Sequence, residues 1–412
     1  MKPARLSAFE LIYGVFNEGA YSNLSLDSAL SEVKAEDRAF LSALTLGVIE
    51  RKITLEYIIA PHLKSKPKPK VMLLIMLGAY QLYFMDKVPS SAAINETVEL
   101  SKKVGCAYYS GLINAVLHSI DRERTDIGAV ADLSVKYSCP DGLINMWKKH
   151  YGEEAALQIL ESINEAPPVF AVPNPLYVDA DELAYELMCD GVECEADDGL
   201  VIIYSSINLS KCRAFKNGLF HIEDKSSYLC ALALEAEEGD TVIDLCSAPG
   251  GKAFTVAERM NNTGRVYACD IHSHRVELIK NGAKRLGLEN IITEVNDASI
   301  YNSELPKADR VLCDVPCSGF GIIRRKPEIR YKELDSVKEL SELQYAILKT
   351  GSQYLKKGGR IVYSTCTLNN KENEKVTERL LNENPDFRLV SQTTVLPDKN
   401  GGDGFYFAVM EN

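Results

Sequence analysis

Residues 241–252 read TVIDLCSAPGGK, an apolar stretch that runs into two glycines and a lysine. A near-continuous apolar run of this length is typical of a parallel strand that helices cover on both faces. The two glycines allow the backbone to approach a ligand closely where the strand turns into a helix. This stretch therefore predicts an α/β sheet with a ligand site at the carboxyl end of its first strand.

The stretches that follow repeat the alternation of strand and helix. Amphipathic segments such as 275–288 and 338–358 separate apolar runs, which indicates helices that connect parallel strands. The further predicted strands are GRVYACD (264–270), NIITEVND (290–297), ADRVLCD (308–314), GRIVYSTC (359–366) and the closing FYFAVME (405–411). We predict a doubly wound, Rossmann-like domain over residues 238–412.

The residues before this domain follow other patterns. Apolar residues recur at spacings of three and four from residue 4 to about 120, which predicts an all-helical bundle over 1–124. The run VMLLIMLGAYQLYFM (71–85) is interrupted by Gln81 and is too short for a membrane span, so we expect a buried helix. Residues 125–237 combine a helix-rich stretch with short alternating segments such as LVIIYS, which indicates a small mixed α/β subdomain. The fold class is multidomain, α followed by α/β.

The composition of the chain limits the classes of function that it can have. The chain has 412 residues, a formal net charge of −12 and no recognisable signal peptide, so we expect a cytoplasmic protein without membrane segments. Its 11 cysteines are scattered and include no C-x-x-C pair, which favours free thiols over disulfides or a metal site. A negative net charge argues mildly against nucleic acid, yet a mean over domains hides local basic stretches such as IIRRKPEIR (322–330).

Acids recur at the ends of the predicted strands, where ligands bind in such sheets. Any one of them could be a helix N-cap, but four at the same edge favour a binding site: Asp244, Asp270, Asp297 and Asp314. The spacing of the glycine turn does not match G-x-G-x-x-G, so a pyrophosphate is a poor match. A ligand with a ribose for Asp270, an adenine and a positive charge suits the site, which points to S-adenosylmethionine (SAM). The predicted cofactor residues are Cys246, Ser247, Ala248, Pro249, Gly250, Gly251, Lys252, Asp270, Asp297 and Asp314.

Three stretches resemble the motifs of a known family. DLCSAPGGK (244–252), DVPCSGFGIIRRKPEI (314–329) and YSTCTLNNKENE (363–374) are similar to those of the RNA cytosine-5 methyltransferases of the NOL1/NOP2/Sun group. The helical segments 90–105 and 111–120 are similar to the NusB-like domain of bacterial members. The resemblance implies a SAM-dependent enzyme that methylates carbon 5 of a cytosine in unassembled 16S rRNA, acting as a monomer.

Cytosine carbon 5 requires activation by a thiolate that adds to carbon 6. Cys317 and Cys366 both follow predicted strand ends, whereas Cys246, Cys269 and Cys313 fit the ordinary role of a small buried side chain. Spacing alone leaves open which of the two thiols attacks. The resemblance assigns the attack to Cys366 and the release of the product to Cys317.

Further roles also follow from position and resemblance. Asp314 is placed to hold the cytosine, and Lys252 is either a catalytic or cofactor-site lysine or a charge at a helix start. Arg324 and Arg325 are expected to contact RNA phosphates, with a solvated loop as the alternative. Glu223 stands where relatives usually have glutamine.

Other functions remain open at this point. The same motifs occur in enzymes that methylate other rRNA positions or tRNA. A non-enzymatic RNA-binding assembly factor would not need Asp314 and two thiols together, and the missing G-x-G-x-x-G disfavours a nicotinamide dehydrogenase.

Overall fold

The computed structural model describes residues 1–19, 22–204, 209–334, 337–398 and 401–412. They form two compact units, which are described separately. The first contains Met1–Lys149 together with Ile323–Lys332, here called the returning segment. The second contains His150–Ile322 and Glu333–Asn412.

The first unit is helical, as its apolar spacing predicts. Its helices are α1 (Ala4–Glu18), α2 (Ser22–Glu32), α3 (Arg38–Glu50), α4 (Lys52–Ile59), α5 (Pro69–Phe84), α6 (Ser90–Lys103), α7 (Ser110–Arg122), α8 (Leu133–Tyr137) and α9 (Asp141–Tyr151), the last of which ends in the second unit. Among the helices of the described residues, none is long and apolar enough to cross a bilayer.

Helix α5 is the buried helix expected from the long apolar run. Leu74, Ile75 and Ala79 are fully buried, and Gln81 is only 1% exposed. The Gln81 amide donates to the Leu77 carbonyl at 2.8 Å and accepts from Nε of Arg5 at 2.8 Å. The polar residue therefore interrupts the run without leaving an unsatisfied buried group.

The returning segment is part of this helical unit although it lies far along the sequence. Arg330 is fully buried, and its Nη1 donates to the carbonyls of Glu50 at 3.0 Å and Ser138 at 3.1 Å. Next to it, the Tyr331 hydroxyl donates to the Ile49 carbonyl at 2.8 Å. One buried guanidinium thus satisfies carbonyls from two regions of the helical unit.

The second unit begins with a small four-stranded antiparallel sheet, in agreement with the predicted mixed subdomain. Its strand order is β2-β3-β1-β4. The elements are α10 (Glu153–Ser162), β1 (Val169–Pro173), α11 (Ala180–Cys189), β2 (Cys194–Asp197), β3 (Leu200–Ile203), α12 (Arg213–Lys216) and β4 (Phe220–Ile222). Leu183, Val201 and Phe220 belong to one core between this sheet and its helices.

A seven-stranded sheet follows, and the Rossmann-like prediction is confirmed. The elements are α13 (Lys225–Ala233), β5 (Thr241–Asp244), α14 (Gly251–Arg259), β6 (Arg265–Asp270), α15 (Ser273–Leu286), β7 (Ile291–Val295), β8 (Ala308–Asp314), α16 (Val337–Tyr354), β9 (Leu355–Thr365), α17 (Glu374–Glu383), β10 (Arg388–Val395) and β11 (Phe405–Glu411). The order is β10-β11-β9-β8-β5-β6-β7. Strands β5 to β9 pair in parallel, whereas β11 and β10 are antiparallel additions at one edge.

Helices cover both faces of this sheet, so its strands are apolar on both sides. Phe254 of α14 and Ile279 of α15 belong to the core on one face, and Leu348 of α16 belongs to the core on the other. Cys269 and Cys313 are fully buried within the second core, as expected for small apolar side chains.

Arg330→Ala is expected to destabilise the helical unit, because at least two buried carbonyls lose their donor. We expect a loss of about 3 kcal/mol, which corresponds to about 100-fold faster exchange of globally protected amides in residues 44–59. Hydrogen exchange on the full chain measures this. Arg122→Ala, at an exposed position of α7, is the matched control and should leave exchange unchanged. Equal protection in both variants would contradict the structural role of Arg330.

Candidate active site

The strand order places a topological switch point between β5 and β8. The chain proceeds from β5 to β6 and β7 on one side and then to β8 and β9 on the other. In sheets of this kind the loops that leave the carboxyl ends of the two strands diverge and open a crevice for a ligand. The motifs around Asp244 and Asp314 end these two strands, so both lie at this crevice.

The glycine turn after β5 is shaped by one conformational requirement. Gly250 has a φ of +117°, which other residues rarely adopt, and a Cβ there would lie 2.4 Å from the Phe254 ring. Helix α14 begins at the next residue and directs its amino end toward the crevice. The motif therefore builds the floor of a ligand site.

A cavity of about 190 Å³ lies at this turn. It contains most of the predicted cofactor residues: Cys246, Ser247, Ala248, Pro249, Gly251, Lys252 and Asp314. It also has Asp244, Glu223, Asp224, Ser227 and Ile222 in its wall. Many of these wall residues are acidic, so the cavity suits a cationic ligand better than a phosphate.

Two buried polar groups in the cavity wall lack a partner within the described residues. They are Oδ2 of Asp244 and Oγ of Ser247, which have no hydrogen bond of good geometry, although Ser247 is near enough to lower the pKa of Asp244 somewhat. Burial raises the pKa of Asp244 to about 7, and the nearby charge of Asp314 adds to the increase. Because buried polar groups are normally hydrogen-bonded, a polar, positively charged ligand would complete this site. The residues present therefore fit SAM.

Asp270 and Asp297 lie at the same edge of the sheet but not in the cavity wall. The carboxylate of Asp270 accepts from the backbone of His272 at 3.0 Å and pairs with Arg275 at 2.9 Å. Oδ1 of Asp297 accepts from the backbone of Ser299 at 2.9 Å. Their assignment to the cofactor stays a prediction.

An ion pair connects the glycine motif to the end of β8. Nζ of Lys252 lies 2.8 Å from Oδ2 of Asp314 and donates to Oγ of Ser227 at 3.1 Å. Oγ of Ser364 donates to the other carboxylate oxygen of Asp314 at 2.9 Å. Burial alone would lower the pKa of Lys252, but the charge of Asp314 outweighs it and the pKa is raised. Lys252 is thus a charged structural partner of Asp314 rather than a solvated helix-start residue.

The two candidate cysteines lie side by side. Their sulfur atoms are 3.1 Å apart, and both residues are partly exposed. The pKa of Cys317 is raised well above its usual value, first by the hydrogen bond to Cys366 and then by burial and nearby negative charge. Cys317 is therefore a protonated thiol at neutral pH.

The predicted RNA-contacting arginines belong to the returning segment. Arg324 is only 6% exposed, and Arg325 is partly buried. The alternative of a solvated loop does not fit Arg324, because its side chain is packed in the protein. Arg325 keeps some access to solvent, and RNA contact by either arginine stays a prediction.

Glu223 is part of a buried charged cluster next to the cavity. Its Oε2 accepts from Thr255 at 2.7 Å and lies 3.5 Å from Nε2 of His221, while Nδ1 of His221 lies 3.4 Å from Glu258. Burial opposes protonation of His221, but the two carboxylates outweigh it and raise its pKa to about 9. His221 lies between Glu223 and Glu258 and offsets part of their negative charge. Glu223 is also one of the carboxylates in the cavity wall.

Sequence reasoning missed Ser227, Ser364 and Phe405 as partners of the ion pair. The Phe405 ring lies 5.1 Å from Nζ of Lys252. Ser364 could have been found from the sequence, because it lies within the YSTCT motif, two residues before Cys366. Ser227 and Phe405 are distant in sequence from Lys252, and no local pattern marks them. Within the described residues, no group of three metal-ligating side chains occurs.

A sheet of this order, with an acid-lined cavity at its switch point, defines the class of Rossmann-like SAM-dependent methyltransferases. A family model described as "16S rRNA methyltransferase RsmB/F" matches residues 231–411, and one described as "NusB family" matches residues 2–122. The Bacillus subtilis protein named "Probable ribosomal RNA small subunit methyltransferase B" is 37% identical, over 98% of this chain and 97% of that protein.

Solved structures agree on the fold. The crystal structure of PH0851 has a TM-score of 0.83 at 24% identity and covers 100% of this chain and 99% of that one. NSun6 from Pyrococcus horikoshii, solved with SFG, has a TM-score of 0.60 at 21% identity and covers 66% of this chain and 98% of that one. This chain belongs to the ribosomal RNA small subunit methyltransferase B family, and SAM is its cofactor. The predicted family membership is confirmed.

Cofactor affinity should depend on the ionisation of Asp244. The carboxylate attracts a cation only when ionised, so SAM binding should strengthen about tenfold between pH 6 and pH 8 as the group titrates near pH 7. Asp244→Asn should bind weakly and lose this component of the pH dependence, measured by isothermal titration calorimetry. The affinity of Asp244→Asn is compared with that of the wild type at each pH, because the ionisable groups of SAM itself contribute equally to both. Asp386→Asn, at an exposed position after α17, is the control, and an identical pH profile in Asp244→Asn would contradict the assignment.

Proposed function

We propose that the protein transfers a methyl group from SAM to carbon 5 of a cytosine in 16S rRNA, with Cys366 as the nucleophile and Cys317 as the residue that releases the product. The observation that carries the proposal is the pair of thiols 3.1 Å apart, of which Cys317 follows Asp314 of the cavity wall by three residues. Methylation at a cytosine nitrogen would need no thiol, because nitrogen carries its own lone pair. Two adjacent thiols support methylation at carbon.

The attack forms a bond between the sulfur of Cys366 and carbon 6 of cytosine. The thiol proton is transferred to N3, so that the ring becomes an enamine whose carbon 5 is nucleophilic. Asp314 is suited to accept hydrogen bonds from the N3 proton and the exocyclic amino group, because Lys252 and Ser364 hold its carboxylate in a defined orientation. When bound, the cofactor supplies a methyl group on positively charged sulfur, and carbon 5 attacks it.

Release requires loss of the carbon 5 proton to solvent and cleavage of the bond between carbon 6 and sulfur. The departing sulfur of Cys366 needs a proton, and the thiol of Cys317 is 3.1 Å away. The raised pKa of Cys317 supports this role, because the residue carries its proton at neutral pH. The N3 proton is lost to solvent as the ring regains its aromaticity, and solvent restores the proton on Cys317, so that the net reaction releases one proton.

The RNA target follows from the family rather than from a contact in the protein. The B. subtilis relative is named for the small ribosomal subunit, and the model that matches the catalytic residues is described for 16S rRNA. We propose that the protein acts in the cytoplasm, as a monomer, on 16S rRNA before assembly covers the target. Arg324 and Arg325 are proposed RNA contacts, with Arg325 the more accessible in this structure.

Substitution of the two cysteines separates attack from release. Cys366→Ala should abolish methylation and form no covalent adduct, because no bond to carbon 6 can form. Cys317→Ala should accumulate a protein–RNA adduct, because the departing sulfur lacks its proton donor. Denaturing gel electrophoresis with SAM and labelled 16S rRNA distinguishes the outcomes. The reverse pattern would exchange the two roles.

The target is tested by bisulfite sequencing of total RNA from cells with and without the gene. We expect one 5-methylcytosine in 16S rRNA to disappear and to return on complementation with the wild type but not with Cys366→Ala. Loss of a site in tRNA or in large-subunit rRNA instead would show a different substrate on the same chemistry. An unchanged map would contradict the proposed activity.

A further inference from the structure

The motif YSTCTLNNKENE contains two consecutive residues that the proposed chemistry does not use. Glu372 and Asn373 are both fully buried, directly before α17. A buried carboxylate is costly unless several donors satisfy it, so its presence requires a physical reason. The contacts of both residues lead to the two cysteines.

Glu372 holds the backbone on both sides of Cys317. Its Oε2 accepts from the backbone N–H of Ser318 at 2.9 Å and from Nε2 of Gln344 at 2.9 Å. The same Gln344 nitrogen donates to the carbonyl of Pro316 at 3.0 Å. The residues before and after the thiol are therefore fixed by one carboxylate and one amide.

Asn373 does the same for Cys366. Its Oδ1 accepts from Oγ1 of Thr365 at 2.6 Å, and its Nδ2 donates to the carbonyl of Thr367 at 2.9 Å. Thr365 and Thr367 are both fully buried. One side chain thus bridges the residues that precede and follow the second thiol.

A chain of hydroxyl groups connects the two loops. Oγ of Ser318 lies 2.5 Å from Oε1 of Glu372 and 2.7 Å from Oγ1 of Thr367. A carboxylate only accepts, so Ser318 donates to Glu372 and Thr367 donates to Ser318. Phe320 completes the chain, because its backbone N–H donates to Thr367 at 3.1 Å. These hydrogen bonds join the loop that contains Cys317 to the loop that contains Cys366 and so fix their relative position.

We propose that Glu372 and Asn373 are positioning residues that hold the two thiols in register, Glu372 acting on Cys317 and Asn373 on Cys366. The assignment of separate catalytic consequences rests on the proposed function. The geometry itself does not, because the contacts exist without RNA or cofactor.

Glu372 has a second effect, through its charge. Its carboxylate is one of the negative groups that raise the pKa of Cys317, after the hydrogen bond to Cys366 and burial. Cys317 therefore keeps the proton that release consumes. No comparable buried carboxylate is bonded to the residues that flank Cys366 in the described structure, since Asn373 is neutral.

Thiol reactivity tests the effect of the Glu372 charge on Cys317 without catalysis. Glu372→Gln removes the charge but keeps the size, so Cys317 should ionise more readily and react about tenfold faster with iodoacetamide at pH 8. The rate is followed by mass spectrometry of the peptide that contains Cys317. Glu378→Gln, an exposed position of α17, is the matched control and should react as the wild type does. An unchanged Cys317 rate in Glu372→Gln would overturn the electrostatic part of the inference.

The adduct assay tests the separate roles. Glu372→Gln should accumulate the protein–RNA adduct, as Cys317→Ala does, with RNA affinity unchanged. Asn373→Ala should form adduct about 100-fold more slowly, as expected from a misplaced nucleophile. If both variants show the same defect, the residues are general structural supports and the inference is wrong.

Two further variants distinguish loss of these hydrogen bonds from misfolding. Ser318→Ala removes one hydroxyl donor to Glu372, and Thr365→Val removes the donor to Asn373 at nearly constant volume. They should reproduce the two defects in weaker form, with SAM binding unchanged in calorimetry. If no 5-methylcytosine forms even in the wild type, the proposed function fails, while the alkylation result still decides whether the charge of Glu372 acts on Cys317.

Discussion

The ion pair between Lys252 and Asp314 is the interaction on which the active site depends. An ammonium that is only 9% exposed would be costly without a counter-charge, and Asp314 supplies it at 2.8 Å. The pair joins the first turn of α14 to the end of β8, across the switch point of the sheet. It therefore sets the separation of the two walls between which cofactor and base must meet. Removing either partner would leave a buried charge and open the site.

The surrounding acids place this pair in a strongly negative environment. Asp244, Glu223 and Asp314 all line the same cavity, and such proximity is unfavourable in the free protein. The raised pKa of Asp244 and the protonated His221 beside Glu223 are two ways in which the fold limits this repulsion. A cationic cofactor reduces this repulsion further, so its binding stabilises the folded site. The cavity thereby favours a sulfonium compound over its product, in which the sulfur carries no charge.

The parts of the fold that could be predicted are those that carry a local signal. Strands β5, β6 and β8 are buried on both faces, so each appears as an apolar run and was predicted within two residues. Strand β9 begins earlier than predicted, at Leu355, because pairing with Ala308 of β8 extends over polar residues. Strand β10 was not predicted, since residues 388–393 are exposed and form a strand only through pairing with β11.

The site shows the same division. The glycine turn, the strand-end acids and the two thiols occur in compact motifs, and the structure pairs Lys252 with Asp314 and places the sulfur atoms of Cys317 and Cys366 3.1 Å apart. The network around Glu372 depends on Gln344 and Ser318, which are 28 and 54 positions away, and hydrogen bonds over such separations leave no periodic trace. Arg324 is buried, although a charged pair of residues in a turn-rich stretch normally indicates solvent exposure.

The returning segment has a consequence for biosynthesis. The helical unit spans the first 149 residues, but it lacks Arg330 and Tyr331 until residue 332 has been translated. At roughly 5–20 residues per second, the ribosome needs about 10–40 s to make the intervening chain. During that interval the carbonyls of Glu50 and Ser138 have no guanidinium to receive. Completion of the helical unit is thus deferred to late translation, and a fragment that ends after residue 149 would lack the side chains that satisfy these carbonyls.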